Sequence, residues 1–172
     1  MVKGLGCLFT AAGCVGLGYF YRQQFYGRLQ HIRILIFILD MMMSQVRYHK
    51  AMLPECFRQL AHRLEEPYQS VFTELFRTFE KDTGETFDIM FGHAMAECLE
   101  RTPLGKEEKE TFLEFAGNLG YEDAGLQLGS MEQYKERLKQ LLGRLEGEVA
   151  GKGKMAMGLG VLGGLLLIVI FL

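Results

Sequence analysis

The sequence predicts an all-α protein: an antiparallel bundle of about five to six helices, flanked by a transmembrane helix at each end. Three observations lead there. Residues 5–21 and 155–172 are glycine-rich and carry no charged side chain, and each approaches the roughly 17 to 25 apolar residues that cross a bilayer as a helix. Between them apolar residues recur at steps of three and four, and nothing alternates as a strand would. Proline and glycine then cut this middle region into short amphipathic segments. The organisation expected is a first span within residues 1–21, a helical domain over 22–152, and a second span over 155–172.

The composition fits that division. A hydrophobic share of 49% averages two greasy ends with a charged middle, and the about 130 residues between the spans suffice for one domain with its own core but not for two. The net charge is -2, with acids and bases interspersed and no basic stripe, which argues against nucleic acid as a partner. Arg22, Arg28 and Arg33 follow the first span and Arg144, Lys152 and Lys154 precede the second, whereas the outer flanks hold only Lys3. Because cytoplasmic flanks carry the excess of Lys and Arg, the domain is expected in the cytoplasm and both termini on the far side. Tyr19, Phe20, Tyr21, Phe25 and Tyr26 fit either an interfacial aromatic belt or packing on the next helix. Ala11-Ala12-Gly13-Cys14 loosely resembles a lipoprotein cleavage box, but the basic region before it is a single lysine and the apolar character continues past Cys14, so a retained span is expected.

The first element after the span is a long helix. Leu29, Ile32, Leu35, Ile36, Leu39, Met42, Met43 and Val46 line one face, and Ile34, Phe37, Ile38 and Met41 make the other face apolar as well. Arg33 and Asp40 bound a run too short for a third span. The helix is therefore either the centre of the bundle or one whose second face, at Ile34, Phe37 and Met41, meets a partner or the membrane surface. Pro54 and Pro67 suit first-turn positions and start the next two helices, with faces Phe57, Leu60, Leu64 and Val71, Phe72, Leu75, Phe76, Phe79. Lys81-Asp82-Thr83-Gly84 ends the second of these. A further helix uses Phe87, Met90, Phe91, Ala94, Met95, Cys98 and Leu99, and Thr102-Pro103 separates it from one built on Phe112, Leu113, Phe115, Ala116 and Leu119. The last helix begins near Tyr121-Glu122-Asp123, where acids favour a helix start, and its stripe runs Leu128, Met131, Tyr134, Leu138, Leu141, Leu142, Leu145, Val149 toward the second span. Gly151-Lys152-Gly153-Lys154 is the obvious place for a hinge, since each glycine costs about 1 kcal/mol inside a helix, and whether the joint bends is left open by the sequence.

Chemistry-bearing patterns are sparse. Cys7, Cys14, Cys56 and Cys98 lack metal or redox spacing, and His31, His49, His62 and His93 make no i, i+4 pair. Gly158-Leu159-Gly160-Val161-Leu162-Gly163 matches the dinucleotide fingerprint, yet no strand precedes it and no βαβ unit surrounds it. No catalytic residues, metal site or cofactor are expected, and the acids read as solvated helix faces. Gly143, Gly147 and Gly151 are spaced by four, as are Ala12 and Gly16 in the first span and Gly160 and Gly164 in the second. Small residues so placed let membrane helices pack on each other or on neighbouring subunits, although glycine is also simply common in spans. A small pore former is a competing reading, but neither span offers a polar residue to line a water path apart from Thr10. A regulatory domain merely tethered to the membrane is another.

Arg28-Leu29-Gln30-His31-Ile32-Arg33 after a glycine-rich span, then Gln45-Val46-Arg47-Tyr48, Leu53-Pro54-Glu55, Leu119-Gly120-Tyr121-Glu122-Asp123 with Gln127, and a glycine-rich terminal span occur in that order. The arrangement resembles the stage III sporulation protein AB family of endospore-forming bacteria over nearly the whole chain. It departs at Gln45, where an acid is expected, and at Cys56 and Tyr121, where small residues are. The resemblance implies a cytoplasmic domain similar to the helical domain of the type II secretion inner-membrane platform protein. It further implies a place in a transenvelope complex in the mother-cell membrane facing the forespore, where it links a secretion-type ATPase to the membrane channel and its other subunits. For the partner face, Glu122 and Asp123 with the helix start around them, and Ile34, Phe37 and Met41, are the candidates.

Overall fold

The computed structural model describes residues 26–47, 53–80, 86–117 and 124–171, and over 152–171 it describes the backbone alone. These residues form six helices and no strand: α1 Tyr26–Arg47, α2 Leu53–Arg63, α3 Tyr68–Glu80, α4 Phe87–Glu100, α5 Lys106–Gly117 and α6 Ala124–Phe171. The all-α bundle expected from the apolar spacing is the architecture found.

α1 is the central rod. Leu29, Ile32, Leu35, Ile38, Leu39, Met42 and Met43 are buried along it, following the three-and-four spacing that puts one apolar face against neighbours. The helix is longer than the run between Arg33 and Asp40. At 22 residues it has the length and composition of a membrane span, which corrects the expectation that it is too short for one. Its polar residues explain why it nevertheless sits in the core: Arg33 pairs with Glu146 at 2.7 Å and Asp40 with Lys135, both on α6. The charges thus lie on the edge facing another helix, while the apolar face is filled by the bundle.

Those two pairs also set direction. Moving up α1 from 33 to 40 corresponds to moving down α6 from 146 to 135, so the two helices run antiparallel. α5 likewise opposes α6, through Glu114 with Arg137 at 3.3 Å and Glu107 with Arg144 at 3.4 Å. α4 folds back on α5, with Glu100 meeting Lys109 at 3.2 Å. One end of the bundle, called here the near end, therefore holds the start of α1, the start of α5 and residues 144–151 of α6.

Local chemistry fixes the turns. α2 carries Pro54 in its first turn with Glu55 beside it, where the missing proline N–H is not needed. The α2–α3 turn closes when the N–H groups of Tyr68 and Gln69 both donate to the Glu65 carbonyl at 3.1 Å. Pro67 stands immediately before α3, preceded by a cis peptide bond. α4 ends where the Arg101 N–H donates to the Cys98 carbonyl at 3.0 Å, and the Thr102 N–H and hydroxyl donate to the Leu99 carbonyl at 3.1 and 2.7 Å, satisfying orphan groups of a helix terminus. The expected break after α3 at residues 81–84 lies outside the described residues.

The core is aromatic at its centre. Phe91 of α4 is fully buried, with ring centroids 6.2 Å from Phe57, 6.4 Å from Phe72, 6.4 Å from Phe112 and 6.3 Å from Phe115. One ring thereby joins the α2–α3 hairpin to α5. α6 closes the bundle with Met131, Leu138, Leu141 and Leu145 buried and Leu128, Tyr134, Leu142 and Val149 packed at the edge. Its backbone stays helical for 48 residues, through Gly151 and Gly153, so the glycine-lysine segment does not break the helix.

Candidate functional site

At the near end, three helices meet in a ring of ion pairs. Arg28 donates to Glu108 Oε1 through Nε at 3.0 Å and Nη2 at 2.6 Å. Glu107, the next residue of α5, meets Arg144 of α6, and Arg33 of α1 meets Glu146 of α6. Successive residues on a helix point about 100° apart, so Glu107 and Glu108 reach two different neighbours from a single turn of α5. The three pairs differ in burial. The Glu108 side chain is 3% exposed against 31% for Arg28, whereas both partners of the other two pairs are at least 46% exposed.

Glu108 corrects the reading of the acids as solvated helix faces. It is buried, and its second oxygen, Oε2, has no hydrogen-bond partner. Gly105 makes room for it: a Cβ there would strike the Arg28 guanidinium and stand 2.6 Å from Glu108 Oε2. Beside it, Gly27 approaches Pro103, whose Cγ would lie 3.5 Å from a Cβ at position 27. The loop between α4 and α5 thus lies directly against the first turn of α1. Sequence reasoning passed over this cluster because 80 residues separate Arg28 from Glu108. The available signal was Gly105 just ahead of an acid-rich helix start.

A second polar link lies one turn along α1. His31 Nδ1 is 3.0 Å from the hydroxyl of Tyr68 on α3, with the rings tilted at 5.6 Å. Burial lowers the His31 pKa and raises that of Tyr68. Between α5 and α6 runs an open groove of about 310 Å³ lined by Glu107, Glu110, Glu114, Arg137 and Arg144 among others. Of its charged walls, Glu107 is paired with Arg144 and Glu114 with Arg137, and it lacks the enclosed apolar body of a small-molecule site. Among the described residues no group of three His, Cys, Asp or Glu side chains is placed to hold a metal ion.

The partner candidates divide. Ile34, Phe37 and Met41 are half-buried and packed against the core, so the second face of α1 is partly covered by its own bundle. Glu122 and Asp123 lie outside the described residues, as do Ala12 and Gly16 and the first span. Gly160 and Gly164 fall in the helical backbone of α6. Large apolar side chains that sequence reasoning placed inward, or did not place, are exposed at the opposite end: Phe79 near the end of α3, Ile89 near the start of α4 and Leu126 near the start of α6.

Compared with known proteins, the sequence model of stage III sporulation protein AB matches residues 3–172. The chain belongs to the stage III sporulation protein AB family. A solved structure described as stage III sporulation protein AB shares the fold, with a TM-score of 0.66, 19% identity, and coverage of 72% of this chain and 97% of that one. No curated protein matches. Membership of the stage III sporulation protein AB family assigns the chain a role in sporulation, and α1 as an apolar helix of spanning length is consistent with association with a membrane.

Proposed function

We propose that the protein is a non-enzymatic platform, anchored in the mother-cell membrane through residues 1–21 and 155–172, that couples a cytoplasmic secretion-type ATPase to the membrane channel of a transenvelope sporulation complex. One observation supports this above the others. Because α1 and α6 are antiparallel, Tyr26 and Gly151 stand at the same end of the bundle. The two points from which the apolar segments continue thus lie at one end, as double anchoring in one bilayer requires, and on this reading the opposite end faces away from the membrane. The basic residues at Arg22, Arg28, Lys152 and Lys154 give that domain a cytoplasmic orientation.

On this reading the domain is gripped at its free sides and passes displacement to the membrane through α1 and α6. The ATPase and the other channel subunits are its partners, and no small-molecule step is required. The test is co-purification of the cognate ATPase with the full-length protein from mild detergent, using wild type and variants Phe37→Glu, Met41→Glu and Glu122→Lys/Asp123→Lys that keep their helical content. Wild type should retain the ATPase, and at least one folded variant should lose it. Capture of other channel subunits without the ATPase would remove the coupling role.

A further inference from the structure

We infer that His31 and Tyr68 form a proton-sensitive latch: a neutral imidazole on α1 holds the turn between α2 and α3, and a protonated one lets it go. The pair differs in kind from the other polar contacts of α1. Arg28, Arg33 and Asp40 tie that helix to α5 and α6 through ion pairs. Among the described residues, the bond between His31 Nδ1 and the Tyr68 hydroxyl, at 3.0 Å, is the side-chain hydrogen bond that joins α1 to the α2–α3 hairpin. Tyr68 opens α3 directly after the turn and is fully buried. The latch therefore grips the hairpin where it folds back.

Burial decides which nitrogen carries the proton. Among the described residues the His31 ring is the one hydrogen-bond partner of the Tyr68 hydroxyl. A buried donor without an acceptor is costly, so Tyr68 donates, Nδ1 accepts, and the proton of the neutral imidazole sits on Nε2. Protonation puts an N–H on Nδ1 as well. The phenol proton then loses its acceptor inside the core, and a charge stands half-buried beside it. The ionisable groups nearby do not hold that charge in place. Arg28 precedes His31 by three residues and is committed to Glu108 of α5, Glu146 of α6 is paired with Arg33, Cys98 of α4 acts on Tyr68, and Glu65 and Glu66 lie in the turn. None of these carboxylates bonds the ring, and burial lowers the His31 pKa. The latch is therefore closed above about pH 6.5 and opens as the pH falls below it. His62 and His93, the other described histidines, are exposed and hydrogen-bond no other element, so His31 is the one among them whose titration between about pH 5 and 8 reaches a contact between helices. The release is local. Phe72 and Leu75 keep α3 in the core, Phe91 still joins the hairpin to α5, and the ion pairs of α1 remain. The latch is a property of the folded chain and does not rest on the platform reading.

Two measurements on the full-length protein in detergent test it. The first is amide exchange read by mass spectrometry, expressed as protection relative to the free peptide at each pH. Between about pH 7.5 and about pH 5.5, residues 64–72 should lose protection about tenfold or more while α5 stays within about twofold. His31→Gln, whose amide oxygen accepts from Tyr68 at either pH, should keep that protection at both, and Tyr68→Phe should lack it at both. The second is the nitrogen-15 spectrum of the labelled His31 ring, which should place the neutral proton on Nε2. An unchanged turn in the wild type at low pH overturns the latch. So does the same loss in His31→Gln, a loss of equal size in α5, full protection in Tyr68→Phe at high pH, or a neutral ring protonated on Nδ1. Should Tyr68→Phe fail to fold, the ring spectrum and the comparison of wild type with His31→Gln decide the matter.

Discussion

Replacing Phe91 by Ala should be the most damaging single truncation in the bundle's centre. Its ring is fully buried and lies within 6.4 Å of four other Phe rings on α2, α3 and α5. Burying a Phe side chain contributes about 1.5 to 3 kcal/mol, and truncation to Ala leaves a void of roughly 100 Å³, costing about 2 kcal/mol more at 24 cal/mol per Å³. The sum, about 4 kcal/mol, falls inside the usual range for buried Phe to Ala and corresponds to roughly 10 to 15 °C in Tm for a domain of this size. Two residues earlier on α4, Ile89 is 52% exposed, and Ile89→Ala should stay within about 0.5 kcal/mol. Thermal unfolding of both variants in the full-length protein, followed by far-ultraviolet circular dichroism, gives the comparison. A loss under about 2 kcal/mol for Phe91→Ala, or equal losses at the two positions, would refute the view that this ring joins the α2–α3 hairpin to α5.

Three other outcomes follow from named groups. Arg28→Met strands a buried carboxylate and should cost about 3 kcal/mol, whereas Arg28→Met/Glu108→Leu together should recover most of that, because removing both partners of a buried pair leaves no uncompensated charge; denaturant midpoints decide. Burial lowers the His31 pKa, so the unfolded chain takes up a proton more readily than the folded one: stability is fully present above about pH 6.5 and is lost as pH falls below that value. His31→Gln should flatten the dependence of Tm on pH in that window. Cys56 and Cys98 are buried, and burial pushes their thiols up to about 11 and about 12, so with Cys7 and Cys14 replaced by Ser, maleimide should modify neither until the bundle is unfolded.

How much of this was legible in the chain depends on the range of the interaction. Periodicity within a helix is local, and it gave α1, the prolines at the starts of α2 and α3, the break at Thr102-Pro103 and the buried stripe of α6. The helix directions and the near-end ring rest on pairs such as 28 with 108 and 33 with 146, for which a single sequence carries no distance information. Glu108 shows the limit most clearly. It stands among Glu107, Glu110 and Glu114 on α5 and has no local mark of being the buried one. Its burial follows from Gly105 and Arg28, and only the fold brings those together. The same reasoning covers Phe79: its spacing fits the apolar face of α3, but it falls at the end of the helix, where the covering layer has run out and 38% of it is exposed.

The unbroken course of α6 bears on what surrounds its second half. Up to Val149 the helix is held by an apolar stripe packed on the bundle. Beyond that point it continues to Phe171 through Gly151, Gly153, Gly158, Gly160, Gly163 and Gly164, and each glycine costs about 1 kcal/mol relative to alanine inside a helix. An isolated helix of about 20 residues with that glycine content is marginal in water. In hydrocarbon the balance reverses, since an unpaired backbone N–H or C=O costs several kcal/mol there and helix is the only single-segment answer. Glycines that weaken the helix in water then become surfaces for close helix contact. At Gly143, Gly147 and Gly151, where a Cβ would meet nothing within 4 Å, the same four-residue spacing already begins on the bundle side. On the proposed double anchoring, the continuous helix across the junction is one rod, stabilised by packing in its first half and by lipid in its second, and a rod of that kind moves at one end when it is pushed at the other.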